Sequence, residues 1–178
     1  MSPSRPINRI ATATSVLVGA LLMQIIFAPS LAILGVIPNF LLVAVVVMAF
    51  VSGSSEGTII GFVAGLAYDL IGTAMVGPMA LTLTLAGFAA GMLREYIFAG
   101  GWLLPVTVLG VASLLTESLY LIVLLLLGDR LVFGTAFLTR VLPGALYAML
   151  IGVLVFPLLT RFIRKGLTSD VNTFKRIA

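Results

Sequence analysis

The sequence predicts an all-α integral membrane protein, folded as a compact bundle of six transmembrane helices. Of its 178 residues, 61% are hydrophobic and only 9% are charged, and the mean hydropathy is +1.27. A soluble domain typically carries about 25% charged residues. Because a hydrocarbon layer of about 30 Å is crossed by roughly 20 helical residues, a chain of this length has room for about six spans and little else.

The sequence contains neither cysteine nor histidine, which restricts its chemistry. Without cysteine there are no disulfides, thiolate nucleophiles, iron–sulfur clusters or cysteine–zinc sites. Without histidine, histidine-dependent hydrolysis and imidazole-bound metals are excluded as well. No substrate cleft or phosphate-binding loop is recognisable. We therefore expect a protein without enzymatic activity, cofactor or metal, which acts by binding, transport or scaffolding.

The first predicted span covers residues 10–28. A secretory signal peptide is the alternative interpretation, but the stretch is long for the apolar core of a signal, and more membrane sequence follows it. The second span ends at residue 51 and begins either near Leu31 or at Pro38, which would occupy the first helical position. In the second case, residues 31–37 would enter the bilayer as an irregular, re-entrant piece.

The polar residues 52–56 predict a turn that is too short for anything but a helical hairpin. Residues 1–160 are expected to form one six-helix domain, followed by a basic segment at residues 161–178. Two interpretations of that segment stay open, a solvated tail and an interfacial amphipathic helix. The remaining four spans are predicted at residues 57–71, 79–93, 102–127 and 141–160.

The basic residues are concentrated on one side of the predicted bundle. Positive residues in short loops stay in the cytoplasm. Only two of the ten basic residues, Arg130 and Arg140, lie on the side opposite the termini. Both termini are therefore predicted to be cytoplasmic, and the net charge of +4 reflects topology rather than nucleic-acid binding. The other eight are Arg5, Arg9, Arg94, Arg161, Arg164, Lys165, Lys175 and Arg176.

Small residues recur at four-residue intervals in several spans and so share one helical face. In lipid, helices associate where such residues let their backbones approach closely. We expect the third helix, which has the longest ladder, to be central to the bundle. The stripe on the first helix either faces inward or receives a partner protein. The ladders are Ala11, Ser15 and Gly19 on the first helix, Gly53, Gly57, Gly61 and Gly65 on the third, and Gly87 and Gly91 on the fourth.

Two acids fall within predicted spans, Asp69 in the third and Glu117 in the fifth, both towards the outer face. A charge at the middle of a span costs about 2.5 to 3.5 kcal/mol on insertion scales, so both should face protein or water. One interpretation is a structural cluster in which either acid pairs with Arg140, and the other is ion or proton coupling. The structural interpretation is favoured, because coupled transport usually places its site at the midplane. Further candidate members of the cluster are Tyr68, Thr116 and Tyr120.

Several of these residues stand in an order that resembles the rod shape-determining protein MreD family. Asn39 departs from the family, where an aspartate is frequent, which weakens any role based on charge at that position. The resemblance covers nearly the whole chain in length and span layout. Its motifs are Pro38-Asn39-Phe40, residues 61–72 with Asp69 and Gly72, Gly77-Pro-Met-Ala80, and residues 87–91.

The resemblance implies a multi-pass scaffold of the cell-elongation machinery in the bacterial cytoplasmic (inner) membrane, where peptidoglycan is inserted along the side wall. Its implied partners are MreC, the actin-like MreB, RodA and a class B penicillin-binding protein, besides membrane lipids. On this hypothesis a glycine stripe, at Gly57, Gly61 and Gly65 or at Gly87 and Gly91, receives the single membrane helix of MreC.

The family also resembles the substrate-binding S components of energy-coupling-factor vitamin transporters, which supply the alternative function. Those proteins share a six-helix architecture and use small residues of the first helix to meet a partner, a role that Ala11, Ser15 and Gly19 would suit. The connectors at residues 29–37 and 72–78 carry no charge and little polarity. We therefore expect no tight polar-ligand pocket, and the scaffold is the favoured function.

Overall fold

The protein folds as a bundle of six helices, seen in a computed structural model that describes residues 6–33, 35–72, 76–94, 103–126, 128 and 133–174. Within these residues, the one β contact is an isolated bridge between Ile33 and Val36. The predicted all-α fold with six helices is confirmed. The helices are α1 (Pro6–Leu22), α2 (Phe40–Ser52), α3 (Ser54–Ile71), α4 (Pro78–Met92), α5 (Leu103–Leu126) and α6, which consists of Phe133–Ala136, a π-helical turn Phe137–Val141, and Leu142–Phe174.

In the part of the chain that the structure describes, three helical segments are long and apolar enough to cross a membrane, namely Ile10–Phe27, Val106–Leu126 and Phe137–Arg161. The apolar helices α2 and α4 are shorter and rise only about 20 and 22 Å. Large hydrophobic side chains are exposed along α1, α3, α4, α5 and α6. A soluble monomer rarely exposes so much contiguous apolar surface. The length, composition and exposure of these helices indicate a membrane protein.

The connector from α1 to α2 is ordered and partly buried. It follows a π-helical turn, Met23–Phe27, and a 3₁₀ turn, Pro29–Leu31, and then brings Val36 and Pro38 into the interior. Asn39 is the N-cap of α2, because its side-chain oxygen accepts the N–H of Leu42 at 2.9 Å. Of the two starts that the sequence left open for this helix, near Leu31 or at Pro38, neither is observed, and α2 begins at Phe40.

The centre of the bundle is α2, in which residues 41–50 are all buried. It contacts each of the other five helices. The prediction that the third helix would be central is wrong, since α3 exposes one face, with Phe62 and Leu70 outward. A uniformly apolar helix has no polar face to direct towards water, so α2 is able to sit inside while other helices meet the lipid.

The hairpin of α3 and α4 is the most closely packed helix pair. Gly53 alone separates α2 from α3, with φ +97, a conformation that glycine adopts without strain. A Cβ on Gly57 would lie 2.5 Å from the carbonyl oxygen of Gly87, and one on Gly65 would lie 2.5 Å from the Cα of Ala80. Since backbone meets backbone along the hairpin, these positions exclude any side chain.

The helices α5 and α6 complete the bundle beside α2. α6 is much longer than the predicted span 141–160, because it starts at Phe133, passes through Pro157 and continues to Phe174. The backbone of the basic segment is thus helical as far as Phe174, whereas its side chains after Arg161 lie outside the described residues. Arg5 and Arg130 also lie outside the described residues, as do the side chains of Arg9 and Arg140.

Candidate functional site

A partly polar cavity of about 180 Å³ lies between the α1–α2 connector and the neighbouring parts of α3, α4, α5 and α6. We call this region the connector end of the bundle. The absence of a tight polar-ligand pocket, expected because the connectors have little polarity, stays a prediction, since a small cavity with some polar side chains does not show that a ligand binds. The polar groups lie at the two ends of the α1–α2 connector and on α3 and α5. They are Gln24, Asn39, Tyr68, Thr116, Glu117 and Tyr120.

Gln24 is a buried amide that organises one wall of the cavity. Its Nε2 donates to the carbonyl oxygen of Pro38 at 3.1 Å, and its Oε1 accepts the N–H of Phe40 at 2.7 Å. Both ends of the amide therefore clamp the backbone on either side of Asn39. Gln24 lies in the π-helical turn Met23–Phe27, and such turns are frequent at functional sites.

Sequence reasoning did not single out Gln24. A signal was present, because Gln24 is an amide close to the end of the otherwise apolar stretch at residues 16–28. A buried amide has to find partners, so its burial in a predicted span was a reason to expect a polar contact nearby.

Asn39 links the start of α2 to the acid on α5. Its Oδ1 accepts the N–H of Leu42, while its Nδ2 donates to Oε1 of Glu117 at 3.2 Å. The helix cap fixes the orientation of the amide, so the donor group points at the carboxylate. In this way two residues that are 78 positions apart meet in the cavity wall, one from the predicted Pro38-Asn39 motif and one from the predicted acid pair.

Asp69 has a different environment from Glu117. Its Oδ2 accepts the N–H groups of Gly77, Met79 and Ala80 at 2.8, 3.1 and 3.0 Å, and the side chain is buried. A carboxylate at the amino end of a helix is favoured by the helix dipole and by the N–H groups that lack partners within the helix. Asp69 thus closes the α3–α4 connection and serves as a cap for α4.

The aromatic members of the expected cluster share the cavity wall with Glu117. Tyr68 and Tyr120 both line the cavity, and Tyr68 is within electrostatic reach of Glu117 and of Asp69. The expected pairing of either acid with Arg140 stays a prediction, because only the backbone of Arg140 is described. Gly72 ends α3, with its N–H donating to the carbonyl oxygen of Tyr68 at 3.0 Å.

The glycine ladders of α3 and α4 face each other and are covered within the chain. A Cβ on Gly61 would lie 2.7 Å from the carbonyl carbon of Leu83, and one on Gly91 would lie 2.5 Å from the carbonyl carbon of Gly53. The hypothesis that this stripe receives the membrane helix of MreC does not agree with the structure, because no space remains for a second helix there.

The small residues of α1 face outward, unlike the glycines of α3 and α4, which pack inside the bundle. Ala11, Ser15 and Gly19 are all exposed, and a Cβ on Gly19 would meet no atom within 4 Å. The inward face of α1 is formed by other residues, with Val16 buried in the core and Ala20 packed against it. The question that the sequence left open is thus answered for this chain: the stripe on α1 faces outward.

A comparison with known protein families agrees with the motifs and the order of helices in this chain. Residues 4–166 match the family model described as rod shape-determining protein MreD. No curated protein and no solved structure gives a significant match. The resemblance inferred from the glycine and aspartate motifs is confirmed, and it ties the protein to the determination of rod shape. Since the match spans more than nine-tenths of the sequence, the chain belongs to the rod shape-determining protein MreD family.

Proposed function

We propose that the protein is a non-enzymatic scaffold of the bacterial cell-elongation machinery, which binds MreC and holds the side-wall synthases RodA and a class B penicillin-binding protein near MreB. The observation that carries this proposal is the family match over residues 4–166. The association of the family with rod shape supports a place among these proteins. A scaffold acts through binding energy alone, so the mechanism depends on which helix face is accessible in the bilayer.

The scaffold is proposed to cross the cytoplasmic membrane six times with both termini in the cytoplasm. The concentration of basic residues on the terminal side supports this orientation. Although α2 and α4 are short, α2 is preceded by the buried residues Val36, Pro38 and Asn39, which add to its depth at the connector end. Residues 1–160 would be the membrane domain and residues 161–178 a basic cytoplasmic segment. The connector end then faces the outside.

The outward stripe of α1 is the proposed contact for the membrane helix of MreC. Ala11, Ser15 and Gly19 leave a smooth groove between larger exposed neighbours such as Val18 and Leu22. Such a face lets a second helix approach closely, which is the main source of helix association in lipid. The glycine stripes of α3 and α4 pack against each other, so they are not accessible to a second protein. We therefore place the contact for MreC on α1.

The test exchanges one glycine for leucine and measures how much MreC co-purifies. Gly19→Leu should strongly reduce the recovered MreC without loss of folded protein, since a Cβ at position 19 meets no atom within 4 Å and the position is exposed. Gly134→Leu is the matched control, because Gly134 is also helical and exposed with open space around it. Wild-type recovery of MreC with Gly19→Leu would reject the proposed face.

The alternative function, the S component of a vitamin transporter, gains one observation in its favour from the polar cavity at the connector end. Its volume, about 180 Å³, is nevertheless below the 300 to 1,000 Å³ that is usual for sites of drug-sized ligands. A screen of the purified protein against water-soluble vitamins tests it directly. A saturable rise in the unfolding temperature with one vitamin would favour the transporter over the scaffold.

A further inference from the structure

The helix at the centre of the bundle is too short to cross a hydrocarbon layer by itself. The 13 residues of α2, Phe40–Ser52, rise about 20 Å, whereas the layer is about 30 Å thick. The neighbouring segments Val106–Leu126 and Phe137–Arg161 rise about 32 and 38 Å, so they match a bilayer of full thickness. About 10 Å of depth beside them is therefore filled by a segment other than α2.

The missing depth lies at the connector end of the bundle. At its other end, α2 stops at Ser52, and Gly53 leads directly into Ser54, Ser55 and Glu56. A turn with this many polar residues belongs at the water interface, because polar and charged groups are costly in hydrocarbon. At the connector end, α2 is preceded by residues 28–39, which contain no charged residue. This connector is the segment available to fill the remaining depth.

The α1–α2 connector carries apolar side chains on its outer side. Leu31, Ile33 and Ile37 are exposed to 44, 60 and 50%. A patch of exposed aliphatic side chains usually marks contact with a membrane or with another protein. Ile26 and Phe27, at the end of the first apolar span, are exposed as well. The connector thus extends the apolar surface of the first span instead of interrupting it.

The backbone of the connector pairs many of its polar groups within the protein, as a hydrocarbon environment requires. Ile33 and Val36 exchange hydrogen bonds in both directions, at 3.1 and 2.9 Å. The carbonyl oxygen of Leu31 accepts the hydroxyl of Tyr147 on α6 at 2.7 Å. The buried residues Val36 and Pro38 hold the inner side of the connector against the bundle. Further N–H groups that donate to backbone carbonyls are those of Ala28, Leu31 and Ala32.

We propose that the α1–α2 connector lies inside the hydrocarbon layer, where Leu31, Ile33 and Ile37 form a contact surface for the acyl chains of lipids. The absence of charge from residues 28–39 and the continuity with the exposed Ile26 and Phe27 favour acyl chains as the occupant. The surface would otherwise face water or a partner protein, and the experiment separates these outcomes. The proposal concerns the depth of the connector, so it depends neither on MreC nor on which side of the membrane is cytoplasmic.

The experiment exploits the absence of cysteine from the sequence. Full-length Ile33→Cys and Ile37→Cys variants are each labelled with a nitroxide and reconstituted into liposomes of phosphatidylethanolamine and phosphatidylglycerol. Electron paramagnetic resonance then measures collisions of the label with oxygen, which concentrates in hydrocarbon, and with a neutral nickel chelate, which stays in water. Leu154→Cys is the reference for lipid, since Leu154 is 75% exposed on the apolar α6. Ser55→Cys, exposed beside the polar turn between α2 and α3, is the reference for water.

Labels at positions 33 and 37 should resemble the label at position 154, with frequent oxygen collisions and few nickel collisions. The label at position 55 should show the reverse. Frequent nickel collisions at either connector position would place the connector in water and overturn the proposal. Few collisions with both reagents would mean that protein covers the surface, which overturns it as well.

A second measurement avoids the bulky label. In permeabilised membranes, Ile33→Cys and Ile37→Cys should react with a charged maleimide about tenfold or more slowly than Ser55→Cys, because the reactive thiolate is disfavoured in hydrocarbon. After denaturation in sodium dodecyl sulfate, all three variants should react equally. Equal rates in the folded protein would overturn the proposal. Neither measurement involves MreC, so the scaffold proposal keeps its own test.

Discussion

Replacing Gly61 by alanine adds a single methyl group at the closest part of the α3–α4 hairpin. That Cβ would lie 2.7 Å from the carbonyl carbon of Leu83 and 3.1 Å from the Cα of Thr84, and it would also collide with the carbonyl oxygen of Leu83. All three atoms belong to the backbone of α4, so no side-chain rotation relieves the contact. The two helices have to separate by several tenths of an ångström along a face that is otherwise complementary.

The expected cost is about 1 to 3 kcal/mol, the usual range for a core that is overpacked by one or two methylenes. Alanine is the better helix former by about 1 kcal/mol, which reduces the observed loss but does not cancel it. Gly19→Ala is the matched control, because the same substitution on α1 meets no atom within 4 Å. It should be neutral or slightly stabilising.

The assay is reversible unfolding of the purified protein in mixed micelles, in which the free energies of unfolding of the two variants are compared with that of wild type. Gly61→Ala should be clearly less stable than Gly19→Ala. If Gly61→Ala is as stable as the control, the close approach of α3 and α4 at Leu83 is not a feature of the protein, and the assignment of this stripe to internal packing fails.

Three further outcomes follow from the polar contacts. Asp69→Asn should lower the free energy of unfolding, measured in the same mixed micelles, by about 1 to 3 kcal/mol. The reason is that it weakens three charge-assisted hydrogen bonds at the start of α4. Gln24→Leu should cost about 1 to 3 kcal/mol in the same assay, since it leaves the carbonyl of Pro38 and the N–H of Phe40 without their side-chain partner. Asn39→Ala should remove the side-chain cap of α2 and cost about 1 kcal/mol in the same assay.

Hydropathy predicted the helices well because each span has to satisfy its backbone within itself. The predicted spans 57–71 and 79–93 differ from α3 and α4 by three residues or fewer at each end. The ends of α2 and α6 were less predictable. The start of α2 depends on a cap by Asn39, and α6 begins at Phe133, ahead of a π-helical turn that apolar composition does not reveal.

The packing could be predicted only in part. The four-residue spacing of Gly57, Gly61 and Gly65 indicated a close contact, but spacing does not name the helix that fills it. The central position of α2 left no trace in its sequence, because in a bilayer a lipid-facing helix and a buried helix are equally apolar. Burial of residues 41–50 is a property of the assembled bundle.

The polar site, like the packing, could be predicted only in part. The two acids were identified as a pair, yet the structure gives them separate roles, with Asp69 on the backbone of α4 and Glu117 in the cavity wall. Which role each acid takes depends on tertiary contacts across tens of residues. The cavity was not anticipated, since its polar groups come from the α1–α2 connector and two helices, α3 and α5, rather than from one polar segment.

The most direct test of the central claim is quantitative affinity capture of the full-length protein from the native membrane, followed by mass spectrometry. The account predicts that MreC is the most enriched protein, accompanied by RodA and a class B penicillin-binding protein, and that Gly19→Leu lowers MreC while Gly134→Leu does not. Enrichment of a transporter ATPase in place of MreC, with no dependence on Gly19, would contradict it.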